Sequence, residues 1–162
     1  MFRLATLGFA ILLAATATVL AQSPIERGQY LVNLILACGN CHTPKTANGE
    51  PIAEKELSGG LVFSTPAFDA AASNITPDQE TGIGAWSDAE IKRAITEGVR
   101  PNHGRLAGIP VAAVMPVNFY KAMLPRDLDA VVAYLRSIKP VRNAVTDPVY
   151  KSAGAPRRIS RC

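Results

Sequence analysis

Two cysteines and one histidine lie close together in the first third of the chain, where Cys38, Cys41 and His42 form the sequence Cys-Gly-Asn-Cys-His. The cysteines are three positions apart, so one turn of helix places both sulfurs on the same face. A histidine directly after the second cysteine is typical of covalent c-type haem attachment, in which the sulfurs bind the porphyrin and the imidazole binds its iron. The motif therefore predicts one haem c, with His42 as a metal ligand.

Two other uses of these cysteines fit the sequence less well. A thioredoxin-like dithiol is expected within a βαβ pattern, and the sequence around the motif lacks one. A zinc site needs a further pair of ligands at suitable spacing, and only His103 and Cys162 are available as additional cysteine or histidine.

The first 21 residues have the pattern of a secretory signal peptide. Met1 and Arg3 precede an almost uncharged apolar run, and the small residues Val19 and Ala21 favour cleavage before Gln22. We therefore expect export to a bacterial periplasm. The run is close to the length that crosses a bilayer, so an uncleaved membrane anchor is the alternative.

Composition and charge predict one globular domain after that segment. Hydrophobic residues make up 48% of the 162 residues, which argues against a disordered chain. The formal net charge of +4 is mild and the basic residues are scattered, so a nucleic-acid interface is not expected. We assign residues 22–140 to one haem-binding domain and residues 141–162 to a basic, extended C-terminal segment.

Three helices are predicted by start and stop signals. Ser23 and Glu26 form a capping box for the first helix, which leads directly to the cysteines. Ser87 and Glu90 form the same box for the second helix, and the third runs over residues 125–138. No strand pattern competes with these helices. The sequence therefore predicts an all-α fold, with three main helices, short helices and long loops around the haem.

The second axial ligand of the iron is expected to be Met115. It lies in a loop, and Pro116 stiffens the backbone beside it. Met123 follows two aromatic residues at helical spacing, which favours a role in the core. His103 is the rival ligand, but it lies in a polar segment that favours solvent exposure.

Four segments carry a resemblance to a known family: RGQYLV before CGNCHTP, NITPDQETGIGAWSDAEIKRAITEGVRP, MPVNFY, and DLDAVVAYLRSIKPV. With these segments the chain resembles the class I c-type cytochromes, especially the cytochrome subunits of bacterial periplasmic or membrane-bound dehydrogenases. The resemblance implies the class I cytochrome c fold, with the first and last helices crossing near Gly28 and Tyr134.

The same resemblance implies the roles of the site residues. Cys38 and Cys41 would form the thioethers, and His42 and Met115 would be the axial ligands. The carboxylates of the haem would be held by an aromatic donor and neighbouring polar residues, which in this sequence are Trp86, Asn74 and Thr76.

The chain also departs from that family. Many of these subunits resemble three such domains in a row, whereas this sequence has one haem motif and is expected to be a single-haem member. The usual Ser or Thr cap before the last helix is replaced by Leu124, so we expect that helix to fray at its start. Val117 and Asn118 stand where relatives often have bulkier residues.

An iron with both axial positions filled carries electrons and offers no site for substrate. We therefore expect an electron-transfer protein without catalytic residues, which passes single electrons from a dehydrogenase towards a terminal oxidase and binds redox proteins as partners. If Met115 does not bind the iron, the alternative is a five-coordinate haem enzyme or gas sensor. A third possibility is a docking subunit whose haem stabilises a larger oxidoreductase complex.

Overall fold

The computed structural model describes residues 22–101, 104–105 and 114–151, with backbone alone for 104–105. The signal peptide expected at residues 1–21, the alternative ligand His103, and Cys162 lie outside the described residues. The helices are α1 (Pro24–Tyr30), α2 (Gly39–His42), α3 (Asp88–Glu97), α4 (Val117–Tyr120) and α5 (Pro125–Ser137). The strands are β1 (Val62–Ser64), β2 (Phe68–Ala71), β3 (Val99–Arg100), β4 (Gly104–Arg105) and β5 (Val149–Tyr150).

The first helix begins at the predicted capping box, because the Ser23 and Glu26 side chains each accept a hydrogen bond from the other residue's backbone N–H. After Tyr30 the helix widens into a π-helical turn, Leu31–Ile35, in which the Leu36 N–H donates to the Leu31 carbonyl over 2.8 Å. Ala37 then takes a left-handed conformation with φ of 47°. This widened end turns the chain from α1 into the cysteine motif.

Helices α1 and α5 cross at very close range, near Gly28 and Tyr134 as expected. A Cβ added to Gly28 would lie 2.0 Å from the Ala130 carbonyl oxygen and 2.6 Å from the Tyr134 Cβ, so only glycine fits. The Arg27 guanidinium donates two hydrogen bonds, of 3.0 and 3.2 Å, to the Asp127 carboxylate beside the crossing. The crossing fixes the position of the segment that follows α1.

Helices α3 and α5 confirm the other two predicted helices. Ser87 and Glu90 form the second capping box, and Gly98 ends α3 in the left-handed conformation that glycine favours. Helix α5 has no side-chain cap at Leu124, although the Asp127 and Leu128 N–H groups donate to the Leu124 carbonyl and close its first turn. Apolar residues of the π-helical turn, of α3 and α5, and of the loops between them form one core, which contains Leu31, Val32, Leu57, Ile83, Ile91, Ala130, Val131, Val132, Tyr134 and Leu135.

The all-α prediction is wrong in one respect, because the described residues also contain two small antiparallel sheets. Strands β1, β2 and β5 form one sheet in the order β1-β2-β5, and β3 pairs with β4. In the larger sheet Phe63 pairs with Ala70, and Phe68 pairs with Tyr150. These strands have two to four residues each, which is too short for alternating hydrophobicity to be recognised in the sequence.

The chain after α5 packs against the loop before α3. The Val141 N–H donates to the Thr76 hydroxyl over 3.1 Å, and the Asn143 amide donates to the Ser58 carbonyl over 3.0 Å. Further along, the Lys151 ammonium lies 2.8 Å from the Asp69 carboxylate. The first half of the predicted C-terminal segment is therefore part of the fold. None of the helices in the described residues is long and apolar enough to cross a membrane.

Candidate functional site

The cysteine motif forms one short helical turn. The His42 N–H donates to the Cys38 carbonyl over 2.9 Å, and the Cys41 N–H donates to the same oxygen over 3.2 Å. Both cysteines are free thiols and both are partly buried. The turn therefore presents two sulfurs and one imidazole from five consecutive residues.

The imidazole of His42 is oriented by the backbone. Its Nδ1 lies 2.8 Å from the Ser73 carbonyl oxygen, and since a carbonyl can only accept, Nδ1 carries the proton. Burial lowers the pKa of His42 below its ordinary value, and the nearby positive charge of Arg100 lowers it further. A neutral ring with its proton on Nδ1 leaves Nε2 with a free lone pair, which is the form that binds a metal ion.

The cysteine environment argues against thiol exchange. Burial raises the pKa of the Cys38 thiol to about 11. Redox-active dithiols have a lowered pKa, because the thiolate is the attacking species. Cys38 therefore resembles a thiol held in an apolar wall more than a disulfide-forming nucleophile.

The motif opens onto two adjoining apolar clefts with empty volumes of about 720 and 800 Å³. Cys38, His42 and Met115 line both clefts, and Cys41 lines the first. The first is otherwise lined by the β1–β2 side, with Phe63 and Ala70–Ala72, and the second by the α3 side, with Ile75, Ile83, Trp86, Ile91 and Ile95. Clefts lined mainly by apolar side chains with a few polar groups are typical of cofactor sites.

The donor set around these clefts fits a haem. Two thiols, one imidazole and one thioether are the groups that c-type haem attachment and ligation require. Met115 lies on the lining of both clefts. Met123, which was expected in the core, packs against the hydrophobic core cluster.

The three residues expected to hold the haem carboxylates differ in whether they line a cavity. Trp86 lines the second cleft and an adjoining polar cavity. Asn74 lines the polar cavity but donates hydrogen bonds to the Thr81 hydroxyl and to the Val141 carbonyl, over 3.0 and 2.7 Å. Thr76 is fully buried and lines none of these cavities, and its hydroxyl donates to the Asn74 side chain over 2.8 Å. The side chains of Asn74 and Thr76 thus form hydrogen bonds within the protein.

Sequence reasoning missed Ser73, Arg100 and Tyr120. Arg100 and Ser73 line both clefts and the polar cavity, and Tyr120 lines both clefts. Burial raises the pKa of the Tyr120 hydroxyl, which keeps it neutral beside the cysteines. The one sequence signal for Arg100 is its position two residues after the Gly98 cap of α3, and that position does not predict where the side chain lies.

The chain is similar over most of its length to cytochrome subunits of bacterial dehydrogenases. The gluconate 2-dehydrogenase cytochrome c subunit of Pantoea cypripedii is 34% identical over 145 residues, which cover 89% of this chain and 29% of that protein. The fructose dehydrogenase cytochrome subunit of Gluconobacter japonicus is 33% identical over 136 residues, covering 83% and 26%. The cytochrome c subunit of the quinone-dependent alcohol dehydrogenase of Gluconacetobacter polyoxogenes is 33% identical over 144 residues, covering 85% and 28%. The chain thus spans less than a third of each of these relatives, and no protein-family model matches it.

Proposed function

Because this chain is homologous over most of its length to the cytochrome c subunits of bacterial dehydrogenases, we propose that it is a single-haem electron carrier. It would accept single electrons from a dehydrogenase and pass them towards a terminal oxidase. The observation that supports this function best is the convergence of Cys38, Cys41, His42 and Met115 on the first apolar cleft.

Each of these side chains has a distinct task in the proposed site. The Cys38 and Cys41 sulfurs would form the two thioether bonds, and the His42 Nε2 and Met115 Sδ atoms would bind the iron. A bound haem would supply a one-electron couple between ferric and ferrous iron. The Ser73 carbonyl keeps the His42 ring oriented by accepting its Nδ1 proton over 2.8 Å.

The surroundings favour electron transfer over catalysis. With His42 and Met115 both bound to it, the iron would have no open coordination position for substrate. The aliphatic side chains of Ile75, Ile91 and Ile95 line the cleft beside the ligands and restrict water there. Low polarity and a fixed ligand pair both favour a single stable coordination state.

The same proposal includes a location and redox partners for the protein. Export through the segment at residues 1–21 would deliver the chain to the periplasm, where c-type cytochromes meet dehydrogenases. The donor would be a dehydrogenase, and the acceptor an oxidase or another cytochrome. Retention of the first segment would anchor the carrier to the membrane.

The proposal is tested by producing the full chain alongside a cytochrome c maturation apparatus. We expect the mass of the product to include one covalently bound haem, and the ferric spectrum to show the long-wavelength charge-transfer band of sulfur ligation. Met115→Ala should remove this band while the haem stays attached, because the cysteines are intact. Met123→Ala is the matched control and should keep the band.

Two results would contradict the proposal. A product without added haem would exclude a c-type cytochrome. A high-spin ferric spectrum in the unmodified protein, with rapid binding of carbon monoxide after reduction, would indicate an open coordination position and favour a haem enzyme or gas sensor.

A further inference from the structure

Arg100 brings a positive charge to the junction of three cavities. Its side chain lines both apolar clefts and the polar cavity that also contains Asn74 and Trp86. The residue is partly buried at the end of β3, and β3 directly follows the Gly98 cap of α3.

The charge of Arg100 has no carboxylate partner among the described residues. None of their ion pairs includes it, and every Asp and Glu of the sequence lies in a described part of the chain. Burial lowers the pKa of Arg100 below its ordinary value, although the charge of Asp147, which lines the polar cavity with Arg100, acts in the opposite direction. A guanidinium remains charged in any protein environment, so this arginine is a partly desolvated cation that an anion would stabilise.

Ser73 connects Arg100 to the proposed iron ligand. The Arg100 Nη2 donates a hydrogen bond to the Ser73 hydroxyl, and the Ser73 carbonyl accepts the proton of His42 Nδ1. One residue therefore holds both the guanidinium and the imidazole, the first through its side chain and the second through its backbone.

The Asn74 side chain, which lines the polar cavity with Arg100, is already bonded within the chain. The Asn74 amide donates to Thr81 and Val141, and its oxygen accepts from the Thr76 N–H and hydroxyl. The carboxylates of Glu80 and Asp147 also line this cavity and would repel an anionic group. Among the described residues that line the clefts and the cavity, Arg100 is the one with a permanent positive charge, so it is the group that would attract an anion. The guanidinium fork also matches the geometry of a carboxylate.

We propose that Arg100 binds a carboxylate of the haem, and that Ser73 is the positioning residue that keeps this cation in a fixed relation to His42. This inference rests on the proposed function, because the carboxylate belongs to the haem. It gives Arg100 the role that the family resemblance implied for Asn74 and Thr76.

A fixed positive charge near the iron favours the reduced form, which carries one positive charge less. Replacing Arg100 by Gln should therefore shift the equilibrium towards the oxidised form. We expect about a tenfold change in the ratio of oxidised to reduced protein at a given ambient potential, which equals about 59 mV for one electron.

The experiment measures reduction potentials of the haem-loaded full chain, together with resonance Raman spectra of the haem carboxylate bending modes. Arg100→Gln is compared with Arg93→Gln, which removes the same charge from an exposed site on α3 where Arg93 pairs with Glu97. Arg100→Lys keeps the charge but loses the fork, so its potential should stay near that of the unmodified protein while the carboxylate mode shifts. Arg93→Gln should change neither property appreciably.

The outcomes separate this inference from the proposed function. If the unmodified chain acquires no haem, the proposed function fails. If it acquires haem but Arg100→Gln matches Arg93→Gln in potential and in the carboxylate modes, the role of Arg100 is wrong and the proposed function stands. Where Arg100→Gln does not fold, the carboxylate mode of Arg100→Lys decides, and an unshifted mode overturns the inference.

Discussion

At the scale of single residues, Gly28 has the least freedom to change. It lies on α1 where the backbone of α5 passes, with the Ala130 carbonyl oxygen 2.0 Å from the position that a Cβ would occupy. The oxygen belongs to a helix backbone and cannot rotate away, so any larger residue forces the two helices apart.

We therefore expect Gly28→Ala to destabilise the protein by about 1–3 kcal/mol, the usual cost of overpacking a well-packed contact. The free energy of unfolding, measured with denaturant, checks this. Gly39→Ala is the matched control, since its added Cβ would meet only the Thr43 hydroxyl at 3.4 Å, an ordinary contact. Equal stability of the two variants would show that the crossing can relax.

The site residues show what residue type alone can predict. Cys38, Cys41 and His42 are recognisable because covalent haem attachment requires these types at this spacing. Arg100 and Ser73 are not, because a guanidinium and a hydroxyl are common on any surface. Their importance comes from positions that only folding creates, where β3 ends beside the clefts and Ser73 meets His42.

At the scale of elements, α1 and α5 are joined by the paired hydrogen bonds between Arg27 and Asp127. The hydrogen bond from the Arg27 guanidinium is the main reason why the pKa of Asp127 lies below its ordinary value of 3.8. A lowered pKa in the folded state means that the ionised carboxylate stabilises the fold. That contribution is complete above the ordinary pKa and is lost as the pH falls through the folded-state value.

Asp127→Asn should consequently lower the free energy of unfolding at neutral pH, and its deficit should shrink as the pH falls below about 4, the ordinary range of an aspartate pKa. Denaturant titrations at several pH values measure the deficit. Glu54→Gln removes the same charge from an exposed residue outside the ion pairs of the described residues, and is the control for general charge effects. A deficit that stays constant down to acid pH would mean that the Arg27 pair does not stabilise the fold.

The elements also differ in how well sequence predicts them. Helices α1 and α3 begin at capping boxes, which are local signals and therefore hold in the structure. The π-helical turn Leu31–Ile35 has no such signal, because it arises from the need to turn the chain into the cysteine motif beside the α5 crossing. In the sheet of β1, β2 and β5, the last strand pairs with a segment far away in sequence, and the pairing cannot be inferred from strands this short.

At the scale of the whole molecule, the proposed haem site lies between parts of the chain that are distant in sequence. The cysteine motif follows α1, one wall comes from β1 and β2, and the other comes from α3 and α5. A bound haem would contact all of these parts and would add to the core that the helices form by themselves. This arrangement explains why a chain with long loops can still have one defined fold.

The segment after α5 contacts the loop before α3. Val141 and Asn143 meet the loop that contains Asn74, Thr76 and Thr81. Each of these contacts joins residues more than 60 positions apart. The loop before α3 is thus held by the C-terminal segment as well as by its own hydrogen bonds.

This dependence predicts that Asn74 and the C-terminal segment stabilise the protein jointly. In the full chain, Asn74→Ala should cost about 1–3 kcal/mol, because it leaves the buried Thr76 N–H without its partner and removes the hydrogen bond to the Val141 carbonyl. In a chain that ends at Pro140 the same substitution should cost less, since the Val141 contact is already gone. The difference between the two costs is the coupling free energy, expected at about 0.5–3 kcal/mol.

Asn33→Ala is the control. Asn33 donates to the Tyr134 hydroxyl, away from the C-terminal segment, so this substitution should cost the same in both chains. A coupling of zero for Asn74 would mean that the segment lies on the loop without stabilising it.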